Sequence, residues 1–291
     1  MADQRAPDWV IPMMRAGYSA RGLVYLILGG LTMSAALWGG DAEGTKGALQ
    51  TLRDAPFGQI LLWLVALGFV CYGIWRFIAA YFDLENRGDE EKGLFQRLAL
   101  VVTGLIHVGL GCAMASVALG VGGSSGGGGG ASDWTAKVLQ MPGGKWIVGA
   151  AALGILGAGI HYVIKGWKKK YKRYIQNNEK TQKLEPLLRW GFVSYGIVLA
   201  IVGVFLGFAA MNSDPSSAMG IGGALDYIRG MTGGRVLLGV IALGIIGFGI
   251  ENFVEARYRI VPGVGHSNDI QSMAQAAKAK AKSTARTAAA S

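Results

Sequence analysis

The stretch RAGYSARGLVYLILGG (15–30) returns twice in altered form, as RLALVVTGLIHVGLG (97–111) and RWGFVSYGIVLAIVG (189–203). Laid over one another, Gly22 falls on Gly104 and Gly196, and Gly29 falls on Gly111 and Gly203, seven residues further on in each copy. Seven residues make nearly two helical turns, so the two glycines of a copy share one helix face. Internal repetition fixes an architecture before any other signal does.

Each copy is followed by a second apolar run. The 291 residues are 52% hydrophobic and 16% charged, whereas soluble domains carry about 25% charged residues. The windows 17–38, 58–80, 98–121, 146–166, 190–211 and 235–255 each supply the about 20 apolar residues that cross ~30 Å of hydrocarbon as helix. Lipid offers no partners to a bare backbone, so spans are helices or closed barrels. These runs are continuous rather than alternating, which excludes barrel strands. The first run has the outline of a signal peptide, but its pattern recurs internally, so it reads as a span. The fold class is therefore an all-α membrane protein. It is a six-helix transmembrane bundle of three tandem two-helix repeats, expected in a pseudo-threefold arrangement.

Short amphipathic segments precede the even-numbered spans: GALQTLRDAPFG (47–58), DWTAKVLQMPGG (133–144) and GALDYIRGMTGG (223–234). Leu49 with Leu52, Trp134 with Val138, and Leu225 with Ile228 have helical spacing. These segments read as short helices lying at the outer membrane interface. Pro56 and Pro142 align ahead of even spans, where a missing N–H costs nothing. The even spans share Gly73, Gly159 and Gly249. Small residues let membrane helices approach closely, so these three, with Gly22, Gly29, Gly104, Gly111, Gly196 and Gly203, are expected at helix contacts. Gly126 to Gly130 read as a flexible insertion peculiar to the second unit.

Basic residues set the expected orientation. One side holds Arg5, Arg15, Arg87, Lys92, Arg97, the run from Lys165 to Arg189, and the tail from Arg257. The other holds Lys46, Arg53, Lys137, Lys145, Arg229 and Arg235. Cytoplasmic loops carry the excess of Lys and Arg, which places both termini in the cytoplasm. Lys168, Lys169, Lys170, Lys172 and Arg173, interleaved with Trp167, Tyr171 and Tyr174, are expected to contact anionic lipid headgroups, each near-surface cation contributing about 1 kcal/mol. Nucleic acid is not an expected partner, since membrane topology already accounts for the charge; an unidentified membrane protein is.

Ionisable groups inside a bilayer are costly and read as functional by default. Trp75, His161 and Glu251 occupy aligned positions near the inner ends of the even spans, with Arg76 and Asn252 following. Around a threefold axis, Arg76, His161, Glu251 and Asn252 would meet as an inner polar cluster or gate. Arg21 reads as an anchor reaching the inner headgroups, and His107 as a histidine hydrogen-bonded to a neighbouring helix. No Walker loop, HExxH or Gly-x-Ser-x-Gly elbow occurs, so no enzyme and no cofactor are expected. Cys71 and Cys112 lie within spans as packing residues.

RAGYSARGLVYLILGG, GALQTLRDAPFG and GFGIENFVEARYRIV (247–261) together resemble the bacterial membrane family of the domain of unknown function 1206. The likeness implies three tandem two-helix units and brings no established activity. The expected division is an N-terminal segment 1–14, repeats at 15–82, 97–167 and 189–261, linkers at 83–96 and 168–188, and a basic tail 262–291. Two functions follow as expectations: a structural or interaction protein with a basic, lipid-facing inner surface, or a small channel or transporter along the pseudo-threefold axis.

Overall fold

The computed structural model describes residues 9–41, 44–119 and 131–261; Gly126–Gly130 and the tail lie outside them. The order is α1 (Val10–Trp38), α2 (Thr45–Asp54), α3 (Gly58–Tyr81), α4 (Glu91–Ala118), α5 (Ala131–Leu139), α6 (Gly144–Trp167), α7 (Glu179–Lys183), α8 (Glu185–Asn212), α9 (Ile221–Gly230) and α10 (Gly234–Tyr258). Helices α1, α3, α4, α6, α8 and α10 are long and apolar enough to cross a membrane. The short segments fold as helices α2, α5 and α9.

Each short helix joins its long partner through the same turn. Phe57, Gly143 and Gly233 take left-handed backbone conformations, with φ of 60°, 75° and 71°. A glycine follows each, because a Cβ on Gly58, Gly144 or Gly234 would strike carbonyls of the preceding short helix. The next residue is polar and reaches across to the end of another unit's odd helix. Gln59 donates to the Ala118 carbonyl at 3.1 Å, Lys145 to Met211 at 3.2 Å, and Arg235 to Ala36 and Leu37 at 3.3 and 3.0 Å. The last carbonyls of a helix have no partners within it, so these donors complete α4, α8 and α1.

The same pairing runs down the helices. The closest seams join α3 to α4, α6 to α8, and α10 to α1, each an even helix against the odd helix of the next unit. The repeated glycines build them. A Cβ on Gly159 would lie 2.6 Å from the Ala200 nitrogen, and one on Gly196 2.6 Å from the Gly159 carbonyl. Gly73 meets Gly104 and Val108; Gly111 meets Ala66 and Val70; Gly203 meets Leu156. Gly22 meets Phe253 and Gly249, Gly29 meets Ala242 and Ile246, and Gly249 meets Leu26. Where lipid removes the hydrophobic drive, such close backbone packing is what holds helices together.

Within units the pattern breaks. In the first unit α1 packs on α3, and in the third α8 packs on α10, but α4 and α6 of the second form no comparable seam. Three aligned glycines record this. A Cβ on Gly68 would lie 3.2 Å from the Ala16 carbonyl, and one on Gly244 3.3 Å from the Trp190 ring, whereas one on Gly154 meets nothing within 4 Å. Gly17 and Gly191 lie against Tyr72 and Phe248, while the equivalent Ala99 of α4 is exposed. The helices thus run in the order α4, α3, α1, α10, α8, α6, with an open slot between the two ends. These contacts do not establish the full pseudo-threefold arrangement. The interior away from the basic residues is apolar, with Leu28, Val198, Val202, Leu225, Leu238 and Ile241 in one cluster and Val24, Leu62, Val65 and Phe69 in another.

Candidate functional site

Among the described residues, the buried charged groups Arg21, Glu85, Glu251 and Glu255 gather at the basic end of the bundle. On α1, Tyr18, Arg21 and Tyr25 follow one another on one face at helical spacing. On α3, Tyr72 and Arg76 stand one turn apart. The loop after α3 is folded by Asp83, which accepts from the backbone N–H groups of Arg87 and Gly88 at 2.7 and 2.8 Å. That loop delivers Glu85, 5% exposed, to three arginines: Arg76 at 3.3 Å, Arg87 at 2.5 Å and Arg259 at 2.5 Å. Arg259 follows α10 and also closes on Glu255. The basic linker fixes it there, since Gln176 donates to the Tyr258 carbonyl at 2.9 Å and Ile260 to Tyr174 at 2.8 Å. Burial alone would raise the Glu85 carboxyl; Arg259, Arg76 and Arg87 outweigh that and hold it at about 2.

Behind this ion-pair network lies a guanidinium with no carboxylate in ion-pair contact among the described residues. Arg21 is 4% exposed. Its Nη1 donates to the Tyr72 hydroxyl at 2.6 Å, and its Nε is buried with no partner. The Tyr72 oxygen also accepts from Arg76, at 2.9 Å from Nε and again from Nη2, so two cations share one phenol oxygen. The Tyr72 ring lies 4.5 Å from the Arg21 guanidinium, the Tyr25 ring 5.8 Å and the Phe248 ring 5.9 Å. The Tyr25 hydroxyl donates to Tyr195 at 2.7 Å. Tyr195 stacks on Phe248 at 4.2 Å, and Tyr162 meets Tyr195 edge-on at 5.2 Å. Arg21 therefore sits in an aromatic enclosure drawn from α1, α3, α6, α8 and α10. His107 on α4 completes the group: its ring lies 4.5 Å from that of Tyr72, and its Nδ1 bonds the Thr103 carbonyl of its own helix at 2.8 Å.

The inner cluster expected from the sequence does not assemble. Arg76 joins Glu85, Tyr72 and Tyr18. Glu251 is buried beside Glu255 and within reach of Lys165. His161 is exposed, on the α6 side that α4 leaves open. Asn252 is buried and donates to the Phe248 carbonyl of its own helix at 2.8 Å, its Oδ1 unpartnered. The reason is angular: adjacent helix positions differ by about 100°, and Arg76 stands one residue beyond the position shared by Trp75, His161 and Glu251. Its true counterpart is Tyr162, which does face the enclosure. Arg21 is an interior residue rather than a headgroup anchor. In the basic run, Lys168, Lys170 and Arg173 are exposed, while Lys169 and Lys172 both pair with Glu185. Glu85, Glu255 and Arg259 were not singled out in the sequence; the spacing of four between Glu255 and Arg259 was their available signal.

Three successive stretches, residues 16–83, 98–169 and 190–259, match the family described as Domain of Unknown Function (DUF1206). The chain belongs to the DUF1206 family. It is also similar to "Uncharacterized protein YxxB" of Bacillus subtilis (strain 168), 28% identical over 260 residues that make up 88% of this chain and 94% of that protein. No solved structure matches. Every residue of the Arg21 enclosure falls within a DUF1206 stretch, as do Arg76 and Arg259, while Glu85 stands just beyond the first.

Proposed function

We propose that this DUF1206 chain is a packed scaffold of the bacterial cytoplasmic membrane, whose basic end faces the cytoplasm and holds anionic lipid headgroups. One observation carries the reading. Among the described residues buried charge is confined to the basic end, where Glu85, Arg76, Arg87, Arg259 and Glu255 tie the first unit and the linker after it to the third unit, while the opposite half of the interior is apolar. A conduit needs polar groups along its length; Thr32, buried in the outer half, bonds its own helix at Leu28. Outside the network, Lys168, Lys170 and Arg173 are exposed beside exposed Trp167, Arg173 over the Tyr174 ring at 4.7 Å, an arrangement suited to headgroup contact.

The test is energy transfer from protein tryptophans to headgroup-labelled lipid in reconstituted vesicles. Transfer to phosphatidylglycerol should exceed transfer to phosphatidylcholine several-fold. Lys168→Glu with Lys170→Glu and Arg173→Glu should abolish the preference without loss of helix. Equal transfer to both lipids in the natural chain contradicts the proposal.

The channel reading keeps one supporting observation: all six long helices contribute to the group around Arg21. Solute flux through liposomes that falls with both Arg21→Gln and Glu251→Gln would favour it over the scaffold.

A further inference from the structure

Arg21 presents an electrostatic imbalance that the fold only partly offsets, buried Glu251 acting on it through space without forming an ion pair. Its guanidinium is buried, has no carboxylate within ion-pair distance among the described residues, and shares its phenol acceptor with Arg76. Leaving such a charge without a direct partner in a low-dielectric interior is expensive, because buried charges ordinarily pair. The neighbouring groups suit an oxyanion. Tyr25, Tyr162 and Tyr195 bring hydroxyls within electrostatic reach of the guanidinium, and the Arg21 Nε–H has no acceptor.

The opening in the bundle provides a route from the bilayer. Where the first and third units place Tyr72 and Phe248, the second places Ala158, so at that level α6 leaves a gap and borders the enclosure only through Tyr162, one turn further on. Ala99 and Gly154, the positions that would seal α4 to α6, meet no partner helix. Exposed Val102, Ile106, Leu153 and Ile160 give those two helices apolar surface. His161 lies on the slot, and Lys165, Arg87 and Lys170 are within electrostatic reach of it. An apolar slot that ends in cations and leads to an unpaired arginine complements a molecule with a chain and an anionic head.

We propose that Arg21 heads a binding site for the anionic head, carboxylate or phosphate, of a membrane amphiphile that enters between α4 and α6. The head accepts from the Arg21 Nε–H and from tyrosine hydroxyls; the acyl chain lies along the slot. Charge-assisted bonds of this kind are the strong class, and binding to the folded chain alone raises its unfolding temperature.

The experiment is thermal unfolding of the full chain in phosphatidylcholine nanodiscs, titrated separately with oleate, phosphatidylglycerol and inorganic phosphate. At least one amphiphile should raise the midpoint saturably, and phosphate should not; which amphiphile acts distinguishes a carboxylate head from a phosphate one. Arg21→Gln should weaken the apparent affinity at least tenfold, and Arg21→Lys, which keeps the charge, should weaken it less. An unchanged titration in Arg21→Gln overturns the proposal, as does a full shift from inorganic phosphate or no shift at all. Should Arg21→Gln fail to fold, a photoreactive residue replacing Tyr162 decides the matter: cross-linking to the amphiphile supports the site, and cross-linking to helices alone overturns it. The basic-surface reading rests on Lys168, Lys170 and Arg173, so the two proposals fail separately.

Discussion

Glu85 is the residue on which the basic end depends. One carboxylate, buried in a loop, answers three arginines from three parts of the chain. Removing one member of a buried ion-pair group strands the others, at a cost of about 3–5 kcal/mol. Glu85→Gln should therefore lower the unfolding midpoint in neutral detergent by many degrees; a change within error would show the network to be ornamental. Protonation should act in the same direction. The folded Glu85 carboxyl stands at about 2 against an ordinary 4.5, so its contribution is complete above about pH 4.5 and is lost as pH falls toward about 2. The difference corresponds to on the order of 3 kcal/mol. Midpoints measured from pH 6 down to pH 3 should drop more steeply for the natural chain than for Glu85→Gln. Parallel curves would assign the acid sensitivity elsewhere. None of this was legible in the sequence, because Glu85 lies among other acids of a polar loop and its partners come from Arg76, Arg87 and Arg259, the last more than a hundred residues away.

Helices are joined here by glycine faces and by single polar donors, and the two kinds of signal differ in legibility. The glycines announced themselves by recurrence at seven-residue spacing. They showed that a close contact exists but not which helix makes it, since a glycine carries no mark of its partner. The donors carry that mark. Gln59, Lys145 and Arg235 follow the same turn and each completes the next unit's odd helix, yet as one amide and two cations they have no common residue type to draw the eye. Gly159→Ala should cost about 1–3 kcal/mol by overpacking, because its Cβ would press on the Ala200 backbone. Gly154→Ala should be neutral or stabilise by up to ~1 kcal/mol, the helix-propensity gain, because its Cβ meets nothing. Unfolding of both variants in one detergent checks the pair; equal losses would mean that α6 has a partner on its open side. Lys145→Ala should cost about 1 kcal/mol, one hydrogen bond to the Met211 carbonyl, read by the same assay.

As a whole the molecule is three similar hairpins joined edge to edge and left open in the second. Composition and repetition revealed the six spans, the short helices ahead of the even spans and the tandem order, since each rests on local pattern. The opening was not foreseen, because it depends on which repeated contacts survive divergence. Its traces are present in the second unit, where Ala99 replaces a seam glycine and Ala158 replaces an aromatic ring. His161 was misplaced for the same reason: aligned with buried Trp75 and Glu251, it belongs to the one unit whose helices do not close over it. Disulfide cross-linking in native membranes tests the open slot most directly, on a background with Cys71 and Cys112 replaced by Ala. Ala20→Cys with Gly68→Cys, in the first unit, and Ser194→Cys with Gly244→Cys, in the third, should form disulfides readily. The equivalent pair of the second unit, Val102→Cys with Gly154→Cys, should not; cross-linking there as efficient as in the other two would mean a closed ring and contradict the account.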